Sequence, residues 1–209
     1  MNEMVTKRND LLANKVIKGL ESRNMRGYYA KDKAEALKIA LGLIPEGSSV
    51  TMGGSVSAAE IGLVDAVQKG NYEFIDRNTA DDKRAAALAA YDVDFFLASA
   101  NAMTEDGVLV NIDGNANRVS AIAFGPRKVI LIVGMNKICK DVDMAMKRAR
   151  NVAAPINVQR FGLKTPCAST GSCMNCKSPD TICCQFLITR YSRHNNRIHV
   201  ILVNDNLGF

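Results

Sequence analysis

Four cysteines, Cys167, Cys173, Cys176 and Cys183, stand in a stretch rich in Ser, Thr, Gly, Asn, Lys, Pro and Asp. A free cysteine behaves as a small hydrophobe and is usually buried in a core. Thiols gathered on a polar loop therefore point to a metal, a cluster or a disulfide framework. The spacing is Cys-x5-Cys-x2-Cys-x6-Cys. Its central C-x2-C lets two sulfurs reach one metal from a single turn, and four thiolates suit an iron–sulfur cluster or zinc. Redox thiols and unliganded cysteines are the competing readings. Cys184 is either spare or a substitute for Cys183, and Cys139, beside Ile138, reads as a buried, inert thiol. Neither His194 nor His199 joins the set convincingly.

Two polar clusters offer a different chemistry. Gly53-Gly54-Ser55 leads into Ser57 and Glu60. Two glycines allow close backbone approach, and an anion could be held there. The stretch is neither a dinucleotide fingerprint nor a P-loop. Its bland reading is a turn followed by a capping box, with Ser57 and Glu60 exchanging hydrogen bonds. The other cluster is Thr104-Glu105-Asp106-Gly107 and Asn111-Ile112-Asp113-Gly114-Asn115-Ala116-Asn117-Arg118. It puts carboxylates, amides and a guanidinium on both sides of a short strand. Glu105 or Asp113 would serve as general base and Arg118 as anion clamp, whereas ordinary turn chemistry at Asp-Gly pairs is the alternative.

The elements that must position these groups follow from periodicity. Residues 4–25 read as an amphipathic helix with Val5, Leu12, Val16 and Leu20 on one face, stopped by Gly27. Strand-like and helix-like segments then alternate. Strands are expected at 28–30, 49–52, 72–75, 93–98, 108–112, 128–133 and 197–203, and helices at 32–43, 57–69, 79–90, 119–124 and 141–152. Nearly continuous apolar strands alternating with helices predict an α/β fold with a mainly parallel sheet covered on both faces. Such sheets bind ligands at the carboxyl ends of their strands. A chain of 209 residues suits one domain, with the N-terminal helix at 1–27 and the cysteine-rich loop at 165–185 as its appendages. The longest strongly apolar piece is strand-sized, so no membrane span is expected. The polar N-terminus lacks a signal-peptide core, which makes the expectation cytoplasmic and counts against structural disulfides. The net charge of +6 is dispersed and aromatics are only 6%, which favours a solvated surface, or attraction of small anions, over nucleic-acid binding.

At these clusters the chain resembles the LUD family, named for lactate-utilization proteins. The resemblance spans roughly residues 10–209. It rests on Gly53-Gly54-Ser55 with Glu60-Ile61-Gly62, and on 102–107 continuing through 111–118. It extends to Phe124-Gly125-Pro126, Val133-Gly134-Met135-Asn136-Lys137, Ala153-Ala154-Pro155 and Pro166-Cys167. It implies a fold like that of ribose-5-phosphate isomerase, glucosamine-6-phosphate deaminase and the CoA transferases, with anionic or acyl ligands at strand ends. It also implies a link to oxidation of L-lactate to pyruvate through a multi-protein iron–sulfur system. The ferredoxin-like C-x2-C-x2-C-x3-C run of larger iron–sulfur members is missing, so the chain is similar to stand-alone members with one cysteine-rich loop.

The expected function is therefore a LUD-type role in lactate or organic-acid redox metabolism. Gly53, Gly54, Ser55, Ser57 and Glu60 would face Thr104, Asp106, Gly107, Asn111, Gly114, Asn117 and Arg118 across an anionic ligand. Glu105 and Asp113 are the catalytic candidates. Cys167, Cys173, Cys176 and Cys183 would hold an iron–sulfur cluster or zinc. The alternative is an isomerase or acyl/CoA-transfer enzyme of the same fold with a structural zinc, using Glu60 or Glu105. Expected partners are the small anion, an iron–sulfur or flavin redox protein and a second copy of the chain.

Overall fold

A computed structural model describes residues 2–209. Its centre is a six-stranded sheet built from β1 (Arg26–Ala30), β2 (Ser49–Met52), β3 (Glu73–Ile75), β4 (Phe95–Ala98), β7 (Lys128–Gly134) and β10 (Ile198–Val203). The order is β1-β10-β7-β4-β2-β3, and every pair is parallel. The continuous apolar runs have a direct cause. Successive side chains of a strand point to opposite faces, and both faces are buried. Val129, Leu131, Val133, Val200 and Leu202 enter one core, whereas Ile130, Ile132, Ile201 and Val203 enter the other.

The first core is closed by α1 (Glu3–Ser22) through Ala13, Val16 and Leu20, and by α6 (Asn117–Ala123) through Ala121 and Ile122. The second is closed by α2 (Lys33–Leu43), α3 (Val56–Glu60) and α4 (Leu63–Lys69). A shorter helix, α5 (Lys83–Ala89), is capped by Asp82, whose side chain accepts from the amides of Arg84 and Ala85. None of the helices among the described residues is long and apolar enough to cross a membrane.

Several expected boundaries move. α1 ends at Ser22, Asn24 turns the chain with φ 60°, and Gly27 lies inside β1. The helix expected at 57–69 is two helices, broken at Gly62 in the left-handed conformation with φ 79°. The helix expected at 141–152 runs on. α7 (Val142–Arg148) passes through a π turn at Ala149–Ala153 into α8 (Ala154–Phe161). Pro155 has no N–H to donate, and the wider π turn before it lets the chain continue where a proline would normally end a helix.

A second sheet was not expected. It contains β5 (Ala102–Thr104), β6 (Leu109–Asp113), β8 (Ile138–Cys139) and β9 (Gln185–Thr189), in the order β8-β5-β6-β9. β5 and β6 are antiparallel, as are β6 and β9. One face contributes Met103 and Leu109 to the first core, and the other packs Ala102, Val110 and Ile112 on Ala145 and Ala149 of the long helix. The cysteine stretch starts in the short helix α9 (Pro166–Thr170), continues without regular structure and feeds directly into β9.

Candidate anion site and cysteine loop

β2, β4 and β7 are neighbours in the large sheet. The chain reaches β3 from β2 and then returns to the other side of β2 to form β4, so the strand order reverses there. A crevice at such a reversal, beyond the carboxyl ends of the strands, is where open parallel sheets bind ligands. Here the crevice is a cavity of about 480 Å³. Gly53, Gly54, Ser55 and Ser57 enter it from the end of β2, Ser99 and Asn101 from β4, and Lys137 from just past β7. Asp113, Gly114, Asn117 and Arg118 come from the turn between β6 and α6, and Asn157, Arg160 and Phe161 from α8.

The two glycines have different reasons to be glycine. A Cβ on Gly53 would lie 2.7 Å from Arg118 Cγ and 2.8 Å from Phe96 Cζ, so Gly53 makes room for the arginine. Gly54 takes φ 66° with open space where its Cβ would be, so its backbone shape is the constraint. The capping box does not form as expected. Ser55 is the N-cap, accepting from the Ala58 amide at 3.1 Å. Ser57 instead contacts Lys137, and Glu60 accepts the Gly208 amide at 2.9 Å.

Arg118 is fixed from several sides. It donates to the Ile112 carbonyl, to Asn101 Oδ1 at 3.1 Å and to the Ser99 carbonyl at 3.4 Å, and its Nε lies 3.5 Å from Asp113. Asp113 also accepts the amides of Asn115, Arg118 and Val119. Its oxygens thus start α6 and hold the arginine. Arg118, Lys137, Arg160 and Arg77 line the cavity against one side-chain carboxylate, Asp113. Lys137, like Arg77, Ser99, Asn101 and Arg160, lines the cavity without having been expected there. It is 3% exposed, and its Nζ donates to Ser57 Oγ at 3.0 Å and Ser99 Oγ at 3.1 Å. Burial, then Arg148 and Arg118, lower its pKa to about 7.

The cysteine loop forms an adjoining wall. Ile182 lines the cavity and packs over Gly114, where a Cβ would lie 3.2 Å from the Ile182 Cα. The Cys184 amide donates to the Asp113 carbonyl at 3.0 Å. Arg150 reaches into the loop, donating to Asn175 Oδ1 at 2.6 Å and Cys173 Sγ at 3.5 Å. All six cysteines are free thiols. Burial, then Cys173, Cys167 and Cys176, push the Cys183 thiol up to about 11. No three Cys, His, Asp or Glu side chains among the described residues are arranged around a common point as metal ligands. Cys184 is exposed, its thiol directed at the Thr181 carbonyl.

A family model for the LUD domain matches residues 13–203. The chain belongs to the LUD domain family. A crystal structure of a DUF162 family protein from Deinococcus radiodurans is similar in fold, with TM-score 0.55 and 11% identity over 94% of this chain and 98% of that one. Weaker similarities are to eIF2B beta (TM-score 0.38, 17% identity, 53% of this chain and 44% of that one) and eIF2B delta (TM-score 0.35, 16% identity, 67% and 57%), both from Chaetomium thermophilum. A search of curated proteins finds no match.

In this LUD domain the expected site residues divide. Gly53, Gly54, Ser55, Ser57, Asp113, Gly114, Asn117 and Arg118 meet at the cavity. Glu60, Thr104, Glu105, Asp106, Gly107 and Asn111 do not line it. Glu105 is held by Lys15 and Lys140, whose hydrogen bonds keep its carboxyl below the usual range. Asp106 pairs with Arg23, and Thr104 donates to Asp106. The reason is geometric: residues 104–107 and 113–118 lie at opposite ends of β6, and five residues of strand span about 17 Å. Asn111 acts from beneath, its Nδ2 donating to the Ser99 carbonyl at 2.9 Å. His199 belongs to the sheet, stacked on Tyr28 with its Nδ1 3.0 Å from the phenol oxygen.

Proposed function

We propose that this LUD domain binds a small organic anion, of the 2-hydroxy or 2-oxo acid class, in the strand-end cavity and serves lactate or organic-acid redox metabolism. The observation that carries the reading is the charge of the lining side chains: Arg118, Lys137, Arg160 and Arg77 line a space whose single side-chain carboxylate, Asp113, is already engaged. A cavity of about 480 Å³ suits a small acid or its phosphorylated relatives. Planar guanidinium groups match carboxylate geometry. Arg160 donates from its Nε to Asn157 Oδ1, and its guanidinium carbon lies 4.3 Å from the centre of the Phe161 ring.

Cys167, Cys173, Cys176 and Cys183 are the residues that would hold an iron–sulfur cluster or zinc. Their donor set is purely thiolate, which fits either. A cluster would supply one-electron transfer to a flavin or iron–sulfur partner protein, and zinc would supply a staple between the loop and β9. The sequence contains no flavin or nicotinamide motif of its own, so a partner would complete any oxidation. The isomerase or acyl-transfer reading is less well supported, because neither Glu60 nor Glu105 faces the cavity.

Titration calorimetry with L-lactate, pyruvate and ribose 5-phosphate tests the anion reading. Binding should weaken with salt, and Arg160→Met should cost about 2 kcal/mol, roughly thirtyfold in Kd. No heat with any of these acids, or binding indifferent to Arg160→Met, would refute it. Anaerobic purification with iron, zinc and sulfide quantitation tests the cysteine reading separately. A metal-free sample with four reduced thiols would sink it.

A further inference from the structure

Lys137 sits in a short turn, Met135–Lys137, immediately beyond the carboxyl end of β7. A buried ammonium normally carries a carboxylate partner, because removing an isolated charge from water costs several kcal/mol. Lys137 has none at hydrogen-bonding distance among the described residues. Its two hydrogen-bond partners are the hydroxyls of Ser57 and Ser99, which lie 3.4 Å from each other. The nearest carboxylate named in its field, Glu60, is engaged with the Gly208 amide. The charged side chains acting on it are otherwise guanidinium groups. Arg148 is tied to the carbonyls of Asn136 and Asn101, and Arg118 to Asn101 and Ile112.

This seat is wrong for an ion pair and right for an amine with a usable lone pair. Burial and cationic neighbours are what activate lysine as a nucleophile. The two hydroxyls can each accept and return a proton. Ser99 is further held in place by Asn111 and Arg118, which both donate to its carbonyl.

We propose that Lys137 is a reactive amine that condenses with the ketone carbon of a small 2-oxo acid held in the cavity, forming an imine. The inference rests on the anion-binding reading, because the arginines supply the partner for the carboxylate beside the ketone. The amine nitrogen adds to the carbonyl carbon, and the carbonyl oxygen takes a proton through the serine hydroxyls. The resulting carbinolamine then loses that oxygen as water while nitrogen forms the C=N bond. One amine and one ketone give one imine and one water, with no change in oxidation state and no co-reactant.

The test uses the full chain, pyruvate and sodium cyanoborohydride at neutral pH, followed by intact mass and peptide mapping. The reductant converts the imine into a stable carboxyethyl-lysine. One group per chain is expected, on Lys137, saturable in pyruvate and formed at least about tenfold faster than on any surface lysine. Labelling should rise as the pH passes upward through about 7, where the amine loses its proton. Ser99→Ala should slow it, by roughly tenfold or more, through loss of proton transfer. The peptide map of the wild-type chain decides even if Lys137→Met fails to fold. Modification scattered over surface lysines, with Lys137 no faster than the rest, overturns the proposal. Pyruvate binding is measured in parallel by calorimetry without reductant. Binding with no adduct at Lys137 overturns the imine and leaves the anion site standing, whereas neither binding nor adduct removes both.

Discussion

The two turns that flank β6 share an Asp-Gly pair among polar neighbours and do opposite work. At one end, 104–107 offers Thr, Glu, Asp and Gly, and at the other 113–118 offers Asp, Gly, Asn and Arg. The first is docked on the N-terminal helix: Glu105 and Asp106 are tied to Lys15 and Arg23, and Gly107 lies against Gly19 and Leu20. The second faces the cavity, with Asp113 and Arg118 locked together beneath its rim. A carboxylate-rich turn therefore says little about chemistry until its end of the strand is known. In a mixed α/β fold, the end that shares a side with the carboxyl termini of the parallel strands is the one that meets ligand.

Asp113→Ala should break this contrast most severely. It strips α6 of its start and leaves a mostly buried guanidinium unpaired, a loss of about 3–5 kcal/mol visible as a large drop in Tm. A variant with unchanged Tm would show that Arg118 needs no counter-charge. Gly107→Ala comes next. Its φ is 89° and a Cβ would lie 2.6 Å from the Leu20 amide nitrogen, so overpacking and strain should cost about 1–3 kcal/mol. Gly54→Ala, with φ 66° but open space, should cost less than Gly107→Ala in denaturant titrations. The reverse ranking would mean that the docking on α1 is loose.

Glu105→Gln should produce the smallest effect. Its exposed partners limit the loss to about 1 kcal/mol or less, and anion binding should be unchanged. The sign of its pH dependence is fixed. The folded carboxyl titrates below its unfolded value, so its contribution is present above about pH 4.3 and fades as the pH falls through the folded value. Wild-type and Glu105→Gln stability curves should converge in acid and in high salt. Curves that stay parallel down to strong acid would remove the ion pairs from the account, and loss of ligand affinity would return Glu105 to the site.

The parallel sheet was legible because its strands are buried on both faces and so lack alternation. The strand-end rule then pointed to residues 53–57, which line the cavity. The second sheet was not legible. β5 and β8 are three and two residues long, and β9, Gln-Phe-Leu-Ile-Thr, is largely exposed. Without that sheet, 104–107 could not be assigned to the far end of β6. Lys137 was hidden for another reason. Its meaning lies in Ser57, 80 residues earlier, and Ser99, 38 residues earlier. The only local hint is a lysine just past the end of a central apolar strand, where burial with polar company is the rule. The capping box misled because Ser55 and Ser57 are both competent caps, and tertiary contact with Lys137 decided between them.

The π turn at Ala149–Ala153 has a consequence for length variation in this chain. A π turn is what one extra residue makes of an α-helix. Upstream of it, Arg148 braces the carbonyls of Asn101 and Asn136; within it, Arg150 grips the cysteine loop; downstream, Arg160 faces the anion cavity. Deleting the exposed Asn151 would turn the segment into ordinary α-helix and leave the helix beyond it close to its present phase, whereas deleting an exposed residue of α8 itself, such as Ile156, would rotate everything beyond it by about 100°. Arg160 would swing away from the cavity and Gln159 from the Ala168 carbonyl that it now holds at 2.8 Å. The helix would thus tolerate losing a residue at its π turn but not beyond it, because its phase, more than its composition, keeps Arg160 and Gln159 in register with the anion site and the cysteine loop.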